Sequence, residues 1–214
     1  MIIPAIIPTS LQNLRQTIDR LAFAKTVQID VVDGKFAPFI SWPYEPSAHA
    51  TEAREILNHI EAEIDLMVAE PLLAGADWIS AGAKALVFHF ESLESPKDAI
   101  ALAQDAGIKV AFALNNDTEL SMLYPFIDSL DFVQLMGIKD IGVQGQPFDN
   151  RVLERIATLS ALFPDLPISV DGSVNEDTIN NLKVAGAQRF VVGSAILKSN
   201  DPEAKYQQLL KIVA

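Results

Sequence analysis

The sequence predicts a single (β/α)8 barrel, and three observations support this fold class. Short apolar β-type runs alternate eight times with longer segments of helical spacing within 214 residues. Glycines preceded by alanine end several helical segments, at Gly82, Gly107 and Gly186, where a left-handed cap is expected. No linker or low-complexity tract divides the chain, so residues 1–214 are predicted to form one domain. A doubly wound sheet is the rival, but no Gly-x-Gly-x-x-Gly turn follows the first strand.

The predicted elements follow one another along the whole chain. Strands are expected at Ile2–Ile7, Val27–Val32, Glu63–Val68, Ala85–Phe90, Val110–Leu114, Phe132–Met136, Ile168–Val170 and Phe190–Val192. Helices are expected at Ser10–Phe23, Ala48–Asn58, Leu72–Gly82, Pro96–Ala106, Thr118–Ile127, Asp149–Phe163, Glu176–Ala185 and Pro202–Ile212. The loop after the second strand is long and aromatic, which is typical of a lid or a subunit contact.

Composition excludes several classes of function. The chain has no cysteine, so it has no disulfide, no thiolate nucleophile and no cysteine-ligated zinc. A formal net charge of −12 argues against general nucleic-acid binding, which needs a basic surface. No apolar run approaches membrane-spanning length and no signal peptide is recognisable, so we expect a cytoplasmic protein without a membrane partner. A phosphorylated small molecule remains compatible, because backbone N–H groups can hold phosphate on an acidic protein.

Acidic residues stand in two strands that are distant in sequence. Asp30 lies within the apolar run Val27–Val32, and Asp171 follows Ile168–Val170. Burying a carboxylate in such a run is costly unless it has a partner or a role, and the strand ends of a barrel converge on one site. Residues two apart share a strand face, so Gln28 points with Asp30, as Asp65 does with Met67. Asp33, before Gly34, is interpreted as a turn former.

Glycines and hydroxyl residues follow the last three strands. Loops after the last strands of this fold commonly cradle phosphate, because glycine lets backbone N–H groups approach it. The predicted phosphate-binding residues are Gly142, Gly145, Gln146, Gly172, Ser173, Gly193 and Ser194. No arginine or lysine is placed obviously nearby, so backbone donors would have to dominate.

The ordered series of strand-end motifs resembles the ribulose-phosphate 3-epimerase family over essentially the whole chain. The matching stretches are Val27–Gly34, Asp65–Val68 with Glu70-Pro71, His89–Glu91, Ala113–Asn115, Gly142–Phe148, Val170–Gly172 and Val192–Ile196. Each match is weak by itself, and the series in this order is specific.

The resemblance implies a metal-assisted epimerisation of a pentulose 5-phosphate such as ribulose 5-phosphate. Asp30 and Asp171 match the two acids that remove and return the proton on opposite faces of the substrate. A divalent cation stabilises the enediolate in such a reaction. Met67, His89 and Met136 would line the substrate pocket, and a phosphorylated sugar and a homo-oligomer are the expected partners.

The chain departs from the family at both metal-binding histidines. Gln28 and Asp65 stand in their places, which leaves Gln28, Asp30, Asp65 and Asp171 as a predicted all-oxygen ligand set. Such a set suits magnesium or manganese better than zinc. Two alternatives follow: a catalytically silent relative that binds a phosphorylated metabolite, or a phosphosugar lyase or aldolase, which usually needs a strand-end lysine.

Overall fold

A closed parallel barrel of eight strands confirms the predicted fold class. The computed structural model describes residues 1–142 and 145–214, and in this part of the chain the strands pair in the order β1 to β8 before β8 returns to β1. The strands are β1 (Ile2–Ile6), β2 (Thr26–Val32), β3 (Glu61–Met67), β4 (Ala85–His89), β5 (Lys109–Leu114), β6 (Phe132–Met136), β7 (Ile168–Asp171) and β8 (Arg189–Val192).

Helices connect the strands and pack against them and against one another. They are α1 (Leu11–Arg20), α2 (Arg54–Leu57), α3 (Pro71–Ala81), α4 (Pro96–Asp105), α5 (Arg151–Leu162), α6 (Ile179–Ala185), α7 (Ser194–Leu197) and α8 (Pro202–Val213). In the described ranges, no helix combines the length and the apolar character needed to cross a bilayer.

Local sequence explains where several helices begin and end. Ser10 begins α1, because its hydroxyl oxygen accepts a hydrogen bond of 3.0 Å from the backbone N–H of Asn13. Asp201 caps α8 in the same way, with the N–H of Ala204 at 2.9 Å. The predicted alanine–glycine ends are confirmed at α3, where Gly82 has φ 108°, and at α6, where Gly186 has φ 118°.

Two predicted helices differ from the structure. The helix expected at Thr118–Ile127 is wrong, and two 3-10 turns at Leu120–Met122 and Tyr124–Ser129 replace it. Pro125 has no backbone N–H, so an α-helix cannot continue through it without losing a hydrogen bond. The helix expected at Ala48–Asn58 is a 3-10 turn followed by the short α2, and α7 was not predicted.

The interior of the barrel is polar along much of its length. Alternation along each strand directs every second side chain inward. The buried polar side chains of the strands are Thr26, Gln28, Asp30, Glu63, Asp65, His89, Gln134, Ser169 and Arg189. Apolar packing between them comes partly from small side chains, in a cluster of Ala85, Val87, Ala111, Ala113 and Phe132. Buried polar groups are costly unless they pair, so this interior must form a hydrogen-bonded network.

Candidate functional site

Three carboxylates meet at the carboxyl end of the barrel. Asp30 of β2 lies beside Asp65 of β3 in the strand register, and Asp171 is the last residue of β7. One oxygen from each of the three carboxylates lies within 4.8 Å of the others. The sequence predicted that these acids converge, and the barrel brings them together although two of them are 141 positions apart in the chain (171 − 30).

The side-chain amide of Gln28 bridges this acidic cluster. Its nitrogen Nε2 donates to Oδ1 of Asp30 at 2.8 Å and to Oδ2 of Asp171 at 2.9 Å. A longer contact of 3.4 Å reaches Oδ2 of Asp65. The amide oxygen Oε1 is buried and has no hydrogen-bond partner among the described residues. Gln28 therefore turns its donor group, and not its carbonyl oxygen, toward the carboxylates.

Two further buried polar side chains, Gln134 and His89, contact Asp65. Nε2 of Gln134 donates to Oδ2 of Asp65 at 2.9 Å. Nε2 of His89 lies 3.1 Å from Oδ1 of Asp65, which is the distance of an ion pair when the imidazole is protonated. The His89 ring packs at 5.5 Å from the ring of Phe36. Burial opposes protonation of this histidine, yet the charge of Asp65 raises the pKa of His89 above its ordinary value.

Burial and mutual repulsion shift the titration of the two candidate catalytic acids. Burial is the largest cause and raises the pKa of Asp30 well above its ordinary value, with the charges of Asp171 and Asp65 adding to the shift. The same two causes, burial and then the Asp65 charge, raise the pKa of Asp171 to about 7. Hydrogen bonds from Gln28 act in the opposite direction on both groups. An acid that titrates near neutral pH can both accept and donate a proton.

The raised pKa of Asp171 predicts a pH-dependent stability. Between the ordinary pKa of 3.8 and a folded-state pKa of about 7, the folded protein binds more protons than the unfolded chain. This group therefore stabilises the fold fully at low pH, and its contribution is lost as the pH rises through about 7. We expect Asp171→Asn to flatten the pH dependence of the free energy of unfolding between the two pKa values, 3.8 and about 7. Urea denaturation at a series of pH values measures it, and an unchanged slope in the variant would contradict the assignment.

One cavity of about 260 Å³ opens beside the acids. Asp30 and Asp171 line it, together with Met67 and Met136. The predicted phosphate-binding residues also line it, namely Gly142, Gly145, Gln146, Gly172, Ser173, Gly193 and Ser194. Gln28, Asp65 and His89 are not among its described lining residues and lie behind it. The predicted loop after β6 includes Val143 and Gln144, which are outside the described residues.

Glycine-containing loops contribute a large part of the cavity lining. Gly172 has φ 101°, and a Cβ there would lie 2.6 Å from Cγ1 of Ile138, so only glycine fits this turn. The N–H groups of Ile196 and Leu197 bond to the Gly193 carbonyl, which leaves the first N–H groups of α7 without intrahelical acceptors. The Ser173 hydroxyl donates to the carbonyl of Gln146. No lysine or arginine is among the described residues that line the cavity, so the donors available there are backbone N–H groups and neutral polar side chains.

Several residues of the site were not singled out from the sequence. Gln134 interrupts the apolar strand Phe132–Met136, and a polar residue at an inward position of a buried strand was the signal available for it. Ala5, Ile7 and Ile138 line the cavity and carry no distinguishing pattern. Asp33 behaves as the predicted turn former, because its Oδ1 accepts from the N–H groups of Lys35 and Phe36.

The three carboxylates have the chemistry of a divalent-cation site. One oxygen from each carboxylate lies within 4.8 Å of the others, which is close enough for shared coordination of one ion. Carboxylate oxygens suit hard cations such as Mg²⁺ or Mn²⁺. The acidic cluster therefore fits a divalent ion by its donor set.

Fold and site together define a class: a (β/α)8-barrel enzyme whose cavity is lined by two buried aspartates and by the glycine-containing loops that follow β6, β7 and β8. Residues 1–197 match the model of the Ribulose-phosphate 3 epimerase family. The chain belongs to this family, and it is an epimerase of that class.

Named relatives agree with this membership. The chain is 30% identical over 210 residues to ribulose-phosphate 3-epimerase of Eremothecium gossypii, covering 94% of this chain and 87% of the relative. It is 32% identical over 183 residues to the enzyme of the same name from Bacillus subtilis, covering 83% and 82%. The crystal structure of 3-hexulose-6-phosphate synthase from Salmonella typhimurium superposes with a TM-score of 0.72 at 15% identity over 99% and 97% of the two chains, which is a likeness of fold.

Proposed function

We propose that this epimerase acts on a pentulose 5-phosphate, interconverting ribulose 5-phosphate and xylulose 5-phosphate with Asp30 and Asp171 as its acid and base. One observation carries the proposal: both aspartates and the glycine-containing loops after β6, β7 and β8 line the same cavity. A phosphate bound by these loops would hold the sugar carbons within reach of the acids. The relatives that share the family carry the name of this activity.

Epimerisation at carbon 3 needs two groups on opposite faces of that carbon. Asp30 and Asp171 stand on β2 and β7, which are separated around the barrel by β1 and β8. One carboxylate removes the proton adjacent to the carbonyl, and the electron pair of the C–H bond forms the enediolate. The other acid, in its protonated form, donates its proton to the opposite face and becomes a carboxylate. Met67 and Met136 would bound the reacting carbons with an apolar wall.

Backbone donors are proposed to hold the phosphate. Ser194 and Ala195, whose N–H groups begin α7 without intrahelical acceptors, line the same cavity as the turn at Gly172. Gly142, Gly145 and Gln146 would complete the cradle from the loop after β6, and the hydroxyl of Ser194 would add a donor. The Ser173 hydroxyl is engaged with the Gln146 carbonyl, so its proposed contribution is to shape the cradle.

Asp30, Asp65 and Asp171 would hold a divalent cation, which supplies positive charge for the oxygens of the enediolate when it is bound. Three neighbouring side chains are proposed to have different roles around this cation site. Gln134 orients Asp65 through its amide, and His89 balances the charge of Asp65 on the side away from the cavity. Gln28, the fourth member of the predicted ligand set, presents nitrogen to the cluster.

NMR of ribulose 5-phosphate in deuterated water tests the proposal directly. With purified protein and added Mg²⁺ or Mn²⁺, we expect deuterium to enter carbon 3 and xylulose 5-phosphate to accumulate. Absence of exchange under every metal condition would exclude ribulose 5-phosphate as the substrate. Binding without exchange would support the catalytically silent alternative. The lyase or aldolase alternative needs a lysine, and none is among the described residues of the cavity.

Three expectations from the sequence remain proposals. The exposed side chains of Phe39, Ile40 and Tyr44, in the aromatic loop after β2, give a homo-oligomer a candidate contact surface. A cytoplasmic location and a single domain over residues 1–214 complete the proposed description.

A further inference from the structure

Both candidate catalytic acids accept a hydrogen bond from the side-chain amide of Gln28. Its Nε2 has two hydrogens, and the two short contacts, 2.8 Å to Asp30 and 2.9 Å to Asp171, use both of them. Gln28 is fully buried and lies two positions before Asp30 on the same inward face of β2. Among the described residues, Gln28 donates a hydrogen bond to both acids. The other buried glutamine nearby, Gln134, donates to Asp65 instead.

We propose that Gln28 is a positioning residue that fixes both catalytic carboxylates through its amide nitrogen, rather than a cation ligand through its oxygen. This inference rests on the proposed function of Asp30 and Asp171. Each acid gives one oxygen to Gln28, Oδ1 of Asp30 and Oδ2 of Asp171, and keeps its second oxygen for proton transfer. Hydrogen bonds from one rigid donor to two charged acceptors set the separation and tilt of the acids before substrate arrives.

The donor role and the ligand role exclude each other. A ligand role would require the amide to turn and direct Oε1 at carboxylates that already repel one another. In the observed orientation, Oε1 is buried without a partner among the described residues, so one unsatisfied acceptor is the cost of two hydrogen bonds to charged groups. Two such bonds outweigh one unsatisfied carbonyl.

Substitution of Gln28 by glutamate distinguishes the hydrogen-bond donor role from the cation-ligand role. Gln28→Glu keeps the shape of the side chain and gives a better oxygen ligand for a cation, but it removes both N–H donors. Under the positioning role, we expect kcat to fall about a hundredfold, as for reacting groups misplaced by about an ångström, while KM changes by less than about threefold. A ligand role predicts the reverse, with Mg²⁺ affinity kept or increased and kcat largely kept.

Gln134→Glu is the matched control. Gln134 is likewise a fully buried glutamine at an inward strand position, and its Nε2 donates to a carboxylate of the same cluster. This substitution adds the same charge to the same interior but leaves the donors to Asp30 and Asp171 in place. Because Gln134 contacts Asp65, its substitution should weaken Mg²⁺ binding, so both variants are compared at saturating Mg²⁺. We expect a similar loss of thermal stability in both variants and, under that condition, a kcat reduction at least about tenfold smaller for Gln134→Glu. Equal kcat losses would show that added charge alone is responsible and would overturn the proposal.

A measurement on the unmodified protein keeps the proposal testable if the variants do not fold. The side-chain ¹⁵N–¹H₂ correlations of Gln28, assigned through its backbone, should show two inequivalent protons that exchange slowly with water. Titration with Mg²⁺ should leave both protons hydrogen-bonded. Loss of that protection when Mg²⁺ binds would identify Gln28 as a ligand and reject the donor role. Wild-type protein without epimerase activity would count against the proposed function, whereas an active wild type with an active Gln28→Glu variant counts against this inference alone.

Discussion

Asp30→Asn and Asp171→Asn are each expected to lower the epimerisation rate by roughly a thousandfold, a typical contribution of a positioned acid or base. Asparagine keeps the shape of the side chain and cannot accept or release a proton at neutral pH. Both acids are needed because the proton leaves one face of carbon 3 and arrives on the other. Removing either one blocks the reaction in both directions.

The two variants are expected to differ in solvent exchange. The acid that remains can still remove and return the proton on its own face. Each variant should therefore exchange deuterium into only one epimer, and the two variants should prefer opposite epimers. NMR of ribulose 5-phosphate and of xylulose 5-phosphate, each in deuterated water with each variant, measures this directly.

Asp128→Asn is a suitable control, since Asp128 is exposed on the 3-10 turn Tyr124–Ser129. It should exchange both epimers at the wild-type rate. If both aspartate variants exchanged the same epimer, the two acids would act on the same face of carbon 3, and the assignment of opposite faces to Asp30 and Asp171 would be wrong.

The sequence predicted the barrel because its signals are local and repeated. Each strand is a short apolar run, and the convergence of Asp30, Asp65 and Asp171 follows from barrel closure, since parallel strand ends share one edge. The spacing of apolar residues did not predict the backbone conformation where a single proline determines it. The helical spacing of Thr118–Ile127 was overridden by Pro125, and two 3-10 turns formed instead.

Partner choice inside the barrel could not be predicted from the sequence. The pattern placed Gln28 beside Asp30, but which atom of the amide faces the acids depends on strands that are distant in the chain. The position of His89 behind Asp65, out of the cavity, likewise depends on β3 and β4 pairing in register. The pairing of Glu63 with Arg189 joins residues that are 126 positions apart and had no sequence signal.

The buried Glu63–Arg189 ion pair is expected to dominate the stability of the opposite end of the barrel. Nη2 of Arg189 lies 2.5 Å from Oε2 of Glu63, and both side chains are at most 10% exposed. The guanidinium carbon of Arg189 also stacks 3.8 Å above the ring of Phe132. Arg189→Met keeps much of the packing and leaves the Glu63 carboxylate buried without a cation. We expect a loss of about 3–5 kcal/mol in the free energy of unfolding, measured by urea denaturation.

Two comparisons show whether that loss comes from the unpaired charge. Lys25→Met breaks the exposed ion pair of Lys25 with Glu61, which spans 3.1 Å between side chains that are 83% and 48% exposed, and it should cost less than about 1 kcal/mol. Glu63→Leu combined with Arg189→Met removes both charges and should restore part of the stability that Arg189→Met loses, because replacing a whole buried pair by apolar groups is far less costly than removing one partner. A double variant as unstable as the sum of its two single variants would instead assign the loss to packing around Phe132. Glu63 and Arg189 are not among the described residues that line the cavity, so folded Arg189→Met protein should keep the wild-type KM for ribulose 5-phosphate. Loss of stability and loss of catalysis can then be separated.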